Sequence, residues 1–228
     1  AAAGGSLRGR SLSSEAGTLV GAFARATQFD VGNDPKAEWD VANYTDQYLT
    51  HSCANYVDDG STVFSRDGNL VLKVSSACPG GGCLNSGRVM SKQAFKYGLF
   101  TFTARVPKCN DIWPALWLLP VDRHGNGRYG GWPCSGEIDV LETFGPNNFA
   151  NYNVVAGYGT EAQGGGAMSC NHCRPGYKLS SSFVNSKAGA YFVENVPDCS
   201  ALGPGEASWH EHTFVLSWQP DHMTTWVD

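Results

Sequence analysis

The chain has 228 residues, of which 42% are hydrophobic, 12% aromatic and only 16% charged, and its formal net charge is −5. This composition excludes a coiled coil or a charge-rich helical bundle, because such helices are built mainly from Ala, Glu, Lys, Leu and Arg. It also argues against disorder, since a chain this long and this apolar can bury a core. An acidic chain without a long basic run matches the phosphate backbone poorly, so we expect no nucleic-acid partner.

The first 17 residues are small, polar and rich in glycine, and they predict an N-terminal tail or a loosely attached lead-in. The start of the chain shows no charged segment followed by an apolar one, so we expect any signal peptide to have been removed already. The longest apolar stretch, Ile112 to Val121, has about half the length needed to cross a bilayer and contains two prolines. We therefore expect no transmembrane segment and no membrane partner.

From residue 18 onward, short apolar runs alternate with turn residues, and no stretch of a dozen residues keeps a helical period. The clearest predicted strands are residues 69–74, 98–106, 137–144, 211–218 and 223–228. They are rich in β-branched and aromatic residues and are separated by Gly, Pro, Asn and Asp, which is typical of an all-β sandwich or barrel. The pattern predicts one β-sandwich domain over residues 18–228, with long loops between about 145 and 207.

Eight cysteines indicate disulfide bonds and an oxidising, extracellular compartment, because their number is even in a chain of this size. A zinc site is the alternative, since Cys170 and Cys173 have the spacing of metal ligands. No second closely spaced pair completes a tetrahedral site, so disulfides are favoured and their pairing stays open. Asn43-Tyr44-Thr45 fits the N-glycosylation sequon, a pattern short enough to recur by chance.

The most informative segment is the predicted strand that holds three acidic residues. On a regular strand Glu137 and Asp139 point to the same face, whereas Glu142 points to the opposite face. All three carboxylates share one face only if a β-bulge absorbs a residue near Val140 and Leu141. The alternative is an acidic, solvated strand edge. We favour a functional site, because the apolar neighbours indicate burial, where unpaired charge is costly.

Two carboxyl groups on one face fit a retaining glycosidase, which needs a nucleophile and an acid/base about 5–5.5 Å apart. With the bulge, Glu137 and Glu142 are effectively four positions apart, or roughly 13 Å between backbones at about 3.3 Å per residue. Two side chains that lean inward close most of that gap. Asp139 lies between them, and coupling between like charges raises one of the pKa values, which keeps a proton available near neutral pH.

The run Glu-Ile-Asp-Val-Leu-Glu at residues 137–142 resembles the signature of glycoside hydrolase family 16, in the bulged form of its laminarinase-like β-glucanases. The resemblance implies an all-β jelly-roll sandwich of two antiparallel sheets with a concave substrate cleft, and a retaining double displacement. It also implies that Glu137 is the nucleophile, Glu142 the acid/base and Asp139 an assisting residue between them.

The resemblance covers residues 55–160 and 209–228. The sequence departs from the family at residues 153–159, where many members carry a histidine after the catalytic strand. The chain also stops at Asp228, where members normally continue. We therefore expect either a domain truncated at its C-terminus or a sandwich that is completed differently.

The candidate substrate-binding residues are Trp132, Trp113, Trp117, Asn55, Arg88 and His212. Trp113 and Trp117 alternate onto one face, where flat indoles suit the axial C–H faces of glucose units, although buried tryptophans are common in a sandwich core. Trp132 resembles a sugar platform by its position before the catalytic strand. Asn55 and Arg88 are candidate hydroxyl ligands, with a turn or ion-pair role as the alternative. His212 resembles a family histidine, and an interior hydrogen-bonded histidine is the alternative.

Two further motifs predict no cofactor. Gly125 to Gly130 fits a dinucleotide-binding pattern but opens no helix, so we expect a loop there. His210 and His212 alternate like metal ligands, yet no third ligand is evident, so a metal site is the minority interpretation.

The activity that the resemblance implies is endo-acting hydrolysis of a β-1,3 or mixed β-1,3/1,4 glucan by a secreted monomer, with the polysaccharide as its partner. One alternative is a transglycosylase or a hydrolase of another polysaccharide, since cleft loops decide the substrate. Another is a non-catalytic β-glucan-binding protein. The three acids argue against the latter, because a binding protein is free to lose them. The fold alone does not choose.

Overall fold

The computed structural model describes residues 4–8, 29, 34–46, 54–75, 84–108, 112–120, 136–143, 149–155, 190–193 and 209–228. These residues form strands and one short 3₁₀ helix, Pro35–Ala37, so the predicted all-β class is confirmed. Within these ranges no helix is both long enough and apolar enough to span a bilayer. The cysteines and Trp132 lie outside the described residues.

In chain order the strands are β1 (Gly4–Arg8), β2 (Trp39–Val41), β3 (Tyr44–Asp46), β4 (Ala54–Tyr56), β5 (Val63–Arg66), β6 (Asn69–Lys73), β7 (Leu84–Ser86), β8 (Val89–Ser91), β9 (Gly98–Arg105), β10 (Ala115–Leu118), β11 (Glu137–Glu142), β12 (Phe149–Val155), β13 (Ala190–Val193), β14 (His212–Trp218) and β15 (Met223–Val227). The chain divides into two compact units. The first comprises Ala1–Ile112, Phe144–Asn148 and Glu194–Asp228, and the second comprises Trp113–Thr143 and Phe149–Val193. The predicted boundary of the domain at residue 18 stays a prediction.

The largest sheet of the first unit has six antiparallel strands in the order β15-β14-β9-β1-β6-β5. Strands β9 and β14 pair over seven residues without a shift of register. Phe214, Val215 and Leu216 of β14 are all at most 4% exposed, so this strand is buried on both faces. Burial of a strand on both faces explains why its sequence is a continuous apolar run rather than an alternating one.

Two tight turns close hairpins in this sheet. Asp67 and Gly68 join β5 to β6 with φ angles of 52° and 71°. A two-residue turn with two positive φ angles matches the right-handed twist of the flanking strands, and Asp-Gly is a preferred sequence for it. The two last predicted strands, 211–218 and 223–228, correspond to β14 and β15, and the pairing of Trp218 with Met223 joins them in a hairpin.

Strand β1 corrects the prediction of an N-terminal tail. Residues 4–8 pair with β6 on one side and with β9 on the other, so this segment lies inside the six-stranded sheet. For these residues the prediction is wrong because a glycine- and serine-rich segment shows no apolar alternation. Backbone hydrogen bonds to two neighbouring strands do not depend on such a pattern.

The smaller sheets of the first unit consist of three-residue strands. One pairs β2 with β8, and the other has the order β3-β4-β7, in which β4 and β7 are parallel. Gly87 links β7 to β8, and a Cβ atom at this position would collide with the carbonyl oxygen of Thr62. Only glycine allows this close backbone approach, which fixes the position of the next residue, Arg88.

The second unit contains an antiparallel sheet in the order β10-β11-β12-β13. The strand with the three acidic residues, β11, is an inner strand of this sheet, with β10 on one side and β12 on the other. The neighbours on both sides therefore determine where the acidic side chains point.

Candidate active site

The predicted β-bulge in β11 is confirmed by the pairing on both sides of the strand. Toward β10, β11 advances two residues, from Asp139 to Leu141, while β10 advances one. Toward β12, β11 advances three residues, from Asp139 to Glu142, while β12 advances two. The extra residue lies between Asp139 and Glu142, where the sequence requires it if the three acids are to share a face.

The bulge places the acidic and apolar residues of β11 on opposite sides of the sheet. Trp117 pairs with Asp139 and Ala115 pairs with Glu142, so these positions of β10 lie on the face of the acids. The buried residues Val140 and Leu141 are both 0% exposed. The apolar side anchors the strand, and the three acids lie on the other side.

Gly136 sets the entry of the chain into β11. Its φ angle is 89°, in the region that residues with a side chain rarely adopt. Glycine adopts this conformation without steric strain, so Gly136 directs the backbone into the strand immediately before Glu137.

Asp139 is the most deeply buried of the three acids, with 1% of its surface exposed. Among the described residues, no nitrogen or hydroxyl group donates a hydrogen bond to either of its oxygens. Its acidic neighbours are Glu137 and Glu142, whose negative charges act on it. A hydrogen bond between two carboxyl groups requires a proton on one of them, so a proton in this cluster would let Asp139 satisfy its oxygens.

The electrostatics assign this proton to Asp139. Burial, followed by the negative charges of Glu137 and then Glu142, raises the pKa of Asp139 from 3.8 to about 9. Asp139 is therefore neutral near pH 7, and its proton can be shared with the carboxylate on either side. A neutral Asp139 also spares the cluster a third negative charge.

Glu142 is half-buried, and the indole Nε1–H of Trp113 donates a hydrogen bond of 2.8 Å to its Oε1 atom. Burial raises the pKa of Glu142 above its ordinary value of 4.5, whereas the hydrogen bonds from Trp113 and then Asp139 act in the opposite direction. Burial is the larger effect. A carboxyl group with a raised pKa is suited to donate a proton near neutral pH.

The two tryptophans predicted to share a face do so. Trp117 pairs with Asp139, and the indole of Trp113, just before β10, reaches Glu142. Trp113 is 44% exposed, so much of its surface faces solvent beside the carboxyl groups. Sequence reasoning found both residues but missed the contact of Trp113 with Glu142, because that contact depends on the register of β10 against β11.

Asn55, a predicted hydroxyl ligand, lies on β4 in the first unit. Its Oδ1 atom accepts a hydrogen bond of 2.8 Å from Thr45 Oγ1, and its Nδ2 atom donates one of 2.8 Å to Asn85 Oδ1. The side chain thus links all three strands of its sheet. A role in substrate binding stays a prediction.

Arg88, the second predicted hydroxyl ligand, lies beside two tyrosine rings that contact each other in the same sheet. Its guanidinium carbon is 5.9 Å from the ring centre of Tyr44 and 5.7 Å from that of Tyr56. These cation–π contacts hold the guanidinium at the rings. Sequence reasoning did not single out the two tyrosines, since their spacing along the chain gives no sign that they meet.

His212 lies on β14 of the six-stranded sheet, whereas Asn55 lies on β4 and Arg88 lies between β7 and β8. Its Nδ1 atom is 3.0 Å from Oδ1 of Asp228, and its side chain is 21% exposed. Across the described parts of the chain, no three His, Cys, Asp or Glu side chains are arranged to hold a metal ion. Trp132, the remaining predicted sugar platform, lies outside the described residues.

The sequence around this bulged, acidic strand matches a known protein family. Residues 29–227 match the sequence profile of the family described as "XgeA-like, catalytic GH16 domain". The chain belongs to glycoside hydrolase family 16. The membership predicted from the motif at residues 137–142 is therefore confirmed.

Curated proteins of other organisms align with parts of the chain. The Glucan endo-1,3-beta-glucosidase A1 of Niallia circulans is 38% identical over 129 residues, which cover 52% of this chain and 17% of that protein. A Beta-1,3-glucan-binding protein of Penaeus monodon is 32% identical over 141 residues, which cover 62% of this chain and 32% of that protein. The alignments thus span less than a third of either relative.

Among solved structures, the laminarinase from Rhodothermus marinus superposes with a TM-score of 0.58 at 20% sequence identity. The superposition covers 86% of this chain and 67% of that one. At this identity the likeness shows the fold, and the predicted jelly-roll class is confirmed.

Proposed function

We propose that this chain is the catalytic part of an endo-acting hydrolase that cleaves β-1,3 or mixed β-1,3/1,4 glucan with retention of configuration. The observation that carries the proposal is the bulge in β11, which gathers Glu137, Asp139 and Glu142 on one face of the sheet. A bulge that breaks two ladders of hydrogen bonds requires a compensating role, and bulges are common next to active sites.

In the proposed reaction, Glu137 attacks the anomeric carbon while Glu142 gives its proton to the oxygen of the departing sugar. The glycosidic bond breaks and a glycosyl–enzyme ester forms. Glu142, now ionised, then takes a proton from water, which hydrolyses the ester and releases Glu137. The neutral Asp139 shares its proton with the carboxylate that bears the charge at each stage.

The names of the relatives support a β-1,3-glucan as the substrate. The relative from Niallia circulans is a glucan endo-1,3-β-glucosidase, and the superposed structure is that of a laminarinase. The exposed indole of Trp113 beside Glu142 supports a sugar substrate, because flat aromatic faces bind the C–H faces of glucose. We also propose the polysaccharide as the partner of a secreted, disulfide-bonded monomer, supported by the even number of cysteines.

A β-glucan-binding protein is the second candidate, because one relative, from Penaeus monodon, bears that name. Binding alone requires no proton donor and no nucleophile. The buried carboxyl cluster is costly to maintain in a fold, and it has no evident use in a protein that only binds. Hydrolysis is therefore the better-supported function.

The direct test is incubation with laminarin, mixed-linkage glucan and an unrelated galactan, with release of reducing ends as the readout. We expect release from at least one of the two glucans and a loss of roughly 10⁴-fold or more in Glu137→Gln. The matched control is Glu38→Gln, a half-buried glutamate of the first unit, which should keep full activity.

Two outcomes would contradict the proposal. If the wild-type chain binds laminarin but releases no reducing ends, the binding function is the correct one. If the anomeric proton resonances of the first product show inversion, Glu137 is not a nucleophile, because a double displacement retains configuration.

A further inference from the structure

We propose that Trp113 is a positioning residue for Glu142, which it holds through its indole N–H, and is more than a surface on which a sugar stacks. This inference rests on the proposed role of Glu142 as the acid/base. The sequence suggested only an aromatic platform at this position, and the contact between the two side chains assigns the second role.

The backbone around Trp113 is built to hold this contact. Ala115, two residues further on, pairs with Glu142 across the β10–β11 ladder. The backbone N–H of Thr143 donates a hydrogen bond of 3.3 Å to the carbonyl oxygen of Pro114. Both residues that follow Trp113 are thus tied to the end of β11, so the indole and the carboxyl group are presented from two strands in fixed register.

The bulge is what makes the contact available. Without the bulge, regular pairing would place the side chain of Glu142 three positions beyond that of Asp139, on the opposite face from Trp117. With it, Glu142 lies on the side of the sheet where the segment before β10 carries Trp113. The β-bulge therefore brings the carboxyl group of Glu142 to the indole N–H of Trp113.

The charges around Glu142 determine how the N–H group of Trp113 affects its protonation. Asp139 and Glu137 are the acidic neighbours on its own strand. On β10, Ala115–Leu118 contains no titratable residue. On β12 the titratable residue is Tyr152. It lies between Asn151 and Asn153, which pair with Glu142 and Asp139, so its position belongs to the other face of the sheet. Among the described residues of these strands, Trp113 thus supplies a fixed N–H dipole to a carboxyl group whose titratable neighbours on the same face are acidic.

An N–H donor stabilises the ionised form of a carboxyl group more than the protonated form. Loss of the indole N–H therefore makes Glu142 hold its proton to a higher pH. The acid/base must be protonated in the free enzyme, so its ionisation sets the basic limb of the pH profile of kcat/KM. Substitution of a residue that only stacks on the sugar would change KM but would not shift the basic limb of the pH profile.

The test compares Trp113→Phe, which keeps a flat ring but has no N–H, with Trp117→Phe on the same face as the matched control. We expect Trp113→Phe to move the basic limb upward by about half a pH unit or more, with kcat lower by about 3- to 30-fold and a smaller change in KM. Trp117→Phe should leave the limb unmoved. A basic limb that stays in place in an active Trp113→Phe variant would overturn the inference.

A second measurement needs no activity and observes the contact while Trp113 is intact. The indole N–H resonance of Trp113, assigned by its absence in Trp113→Phe, should shift with pH and lose that dependence in Glu142→Gln. An indole signal that ignores Glu142→Gln overturns the contact itself. If the indole titrates as expected but the wild-type chain cleaves no glucan, the proposed function fails and the contact stands, so the two failures are distinguishable.

Discussion

Strand β14 of the first unit and strand β11 of the second each contain a run of consecutive buried residues, but the two runs differ in chemistry. β14 pairs with β9 in unbroken register, and its buried run Phe214–Ser217 begins with three apolar residues and contains no charged one. β11 shifts register against both neighbours, and its buried run Asp139–Leu141 begins with a carboxyl group.

The contrast shows what a regular ladder cannot do. A regular strand sends successive side chains to alternate faces, so it serves packing well but cannot bring acids at spacings of two and three onto one side. β11 pairs irregularly with both neighbours, and as a result one of its faces carries three coupled carboxyl groups. Its two apolar bulge residues, both fully buried, hold the strand in the sheet while the ladder is irregular.

The largest effect expected from this difference is in single-residue deletions. Deletion of Val215 from β14 shifts one half of a doubly buried strand by one position, which exchanges its two faces and should abolish folding. Deletion of Val140 from β11 removes the extra residue and leaves Glu137, Asp139 and Glu142 on one face. We expect that variant to fold, with a loss of about 1.5–3 kcal/mol from the buried valine.

Far-ultraviolet circular dichroism and thermal unfolding of the two deletions measure this difference. The comparison is wrong if the chain lacking Val215 unfolds cooperatively like the wild type. It is equally wrong if the chain lacking Val140 does not fold, since the bulge would then be essential to the sheet rather than to the site.

The next largest effect is on the pH dependence of stability. Because the folded pKa of Asp139, about 9, lies above its ordinary value of 3.8, the folded protein holds this proton more tightly than the unfolded chain. Stability therefore falls as the pH rises from about 4 to about 9. Asp139→Asn cannot ionise, so it should match the wild type near pH 4 and become progressively more stable than the wild type as the pH rises toward 9.

Urea unfolding at several pH values between 4 and 9 gives the required free energies. Asp67→Asn is the control, because Asp67 is exposed in the turn between β5 and β6 and asparagine tolerates its positive φ angle. A constant difference between Asp139→Asn and the wild type across this range would show that Asp139 is ionised in the folded protein.

A smaller difference is expected between substitutions of two glycines with positive φ angles. Gly136, before β11, has a φ angle of 89°, and Gly68, in the β5–β6 turn, has one of 71°. Alanine at either position should cost about 1 kcal/mol of stability through backbone strain. Only Gly136→Ala should also lower glucan hydrolysis, because it shifts the backbone next to Glu137. Thermal unfolding and initial rates measure the two effects, and equal rates in the two variants would contradict a special role for Gly136.

The smallest effect is expected at a polar pair in the regular ladder. Thr103 and Thr213 face each other across β9 and β14, with their hydroxyl oxygens 3.1 Å apart. Thr213→Val should cost about 1 kcal/mol, and the double change Thr103→Val with Thr213→Val should recover part of it, because no hydroxyl is then left unsatisfied. Hydrolysis should be unchanged in both variants. A loss of activity would mean that the regular ladder also serves the chemistry.

The sequence was sufficient for the long strands and for the bulge. The predicted segments 98–106 and 211–218 match β9 and β14 within a residue at each end, because long apolar runs bounded by turns carry a strong signal. The bulge was predicted from the spacing of the acids. Asp139 and Glu142 are three positions apart, so they can share a face only if the strand contains a bulge.

The sequence was insufficient where structure depends on partners far along the chain. β1 and the three-residue strands have no periodicity to detect, and the parallel pairing of β4 with β7 joins segments about 30 residues apart. The hydrogen bond from Trp113 to Glu142 spans 29 positions and requires the register of β10 against β11. Spacing in the sequence determines the face of a side chain, but not which neighbour it meets.

The position of β1 also affects the order in which this protein can fold during its synthesis. β1 joins β6 to β9, and the last residue of β9, Arg105, is made 97 positions after Arg8. At about 5–20 residues per second, the ribosome adds those residues in roughly 5 to 20 s. Throughout that interval β1 has no partner on its β9 side, so chaperones that bind extended, unpaired segments have several seconds in which to reach it.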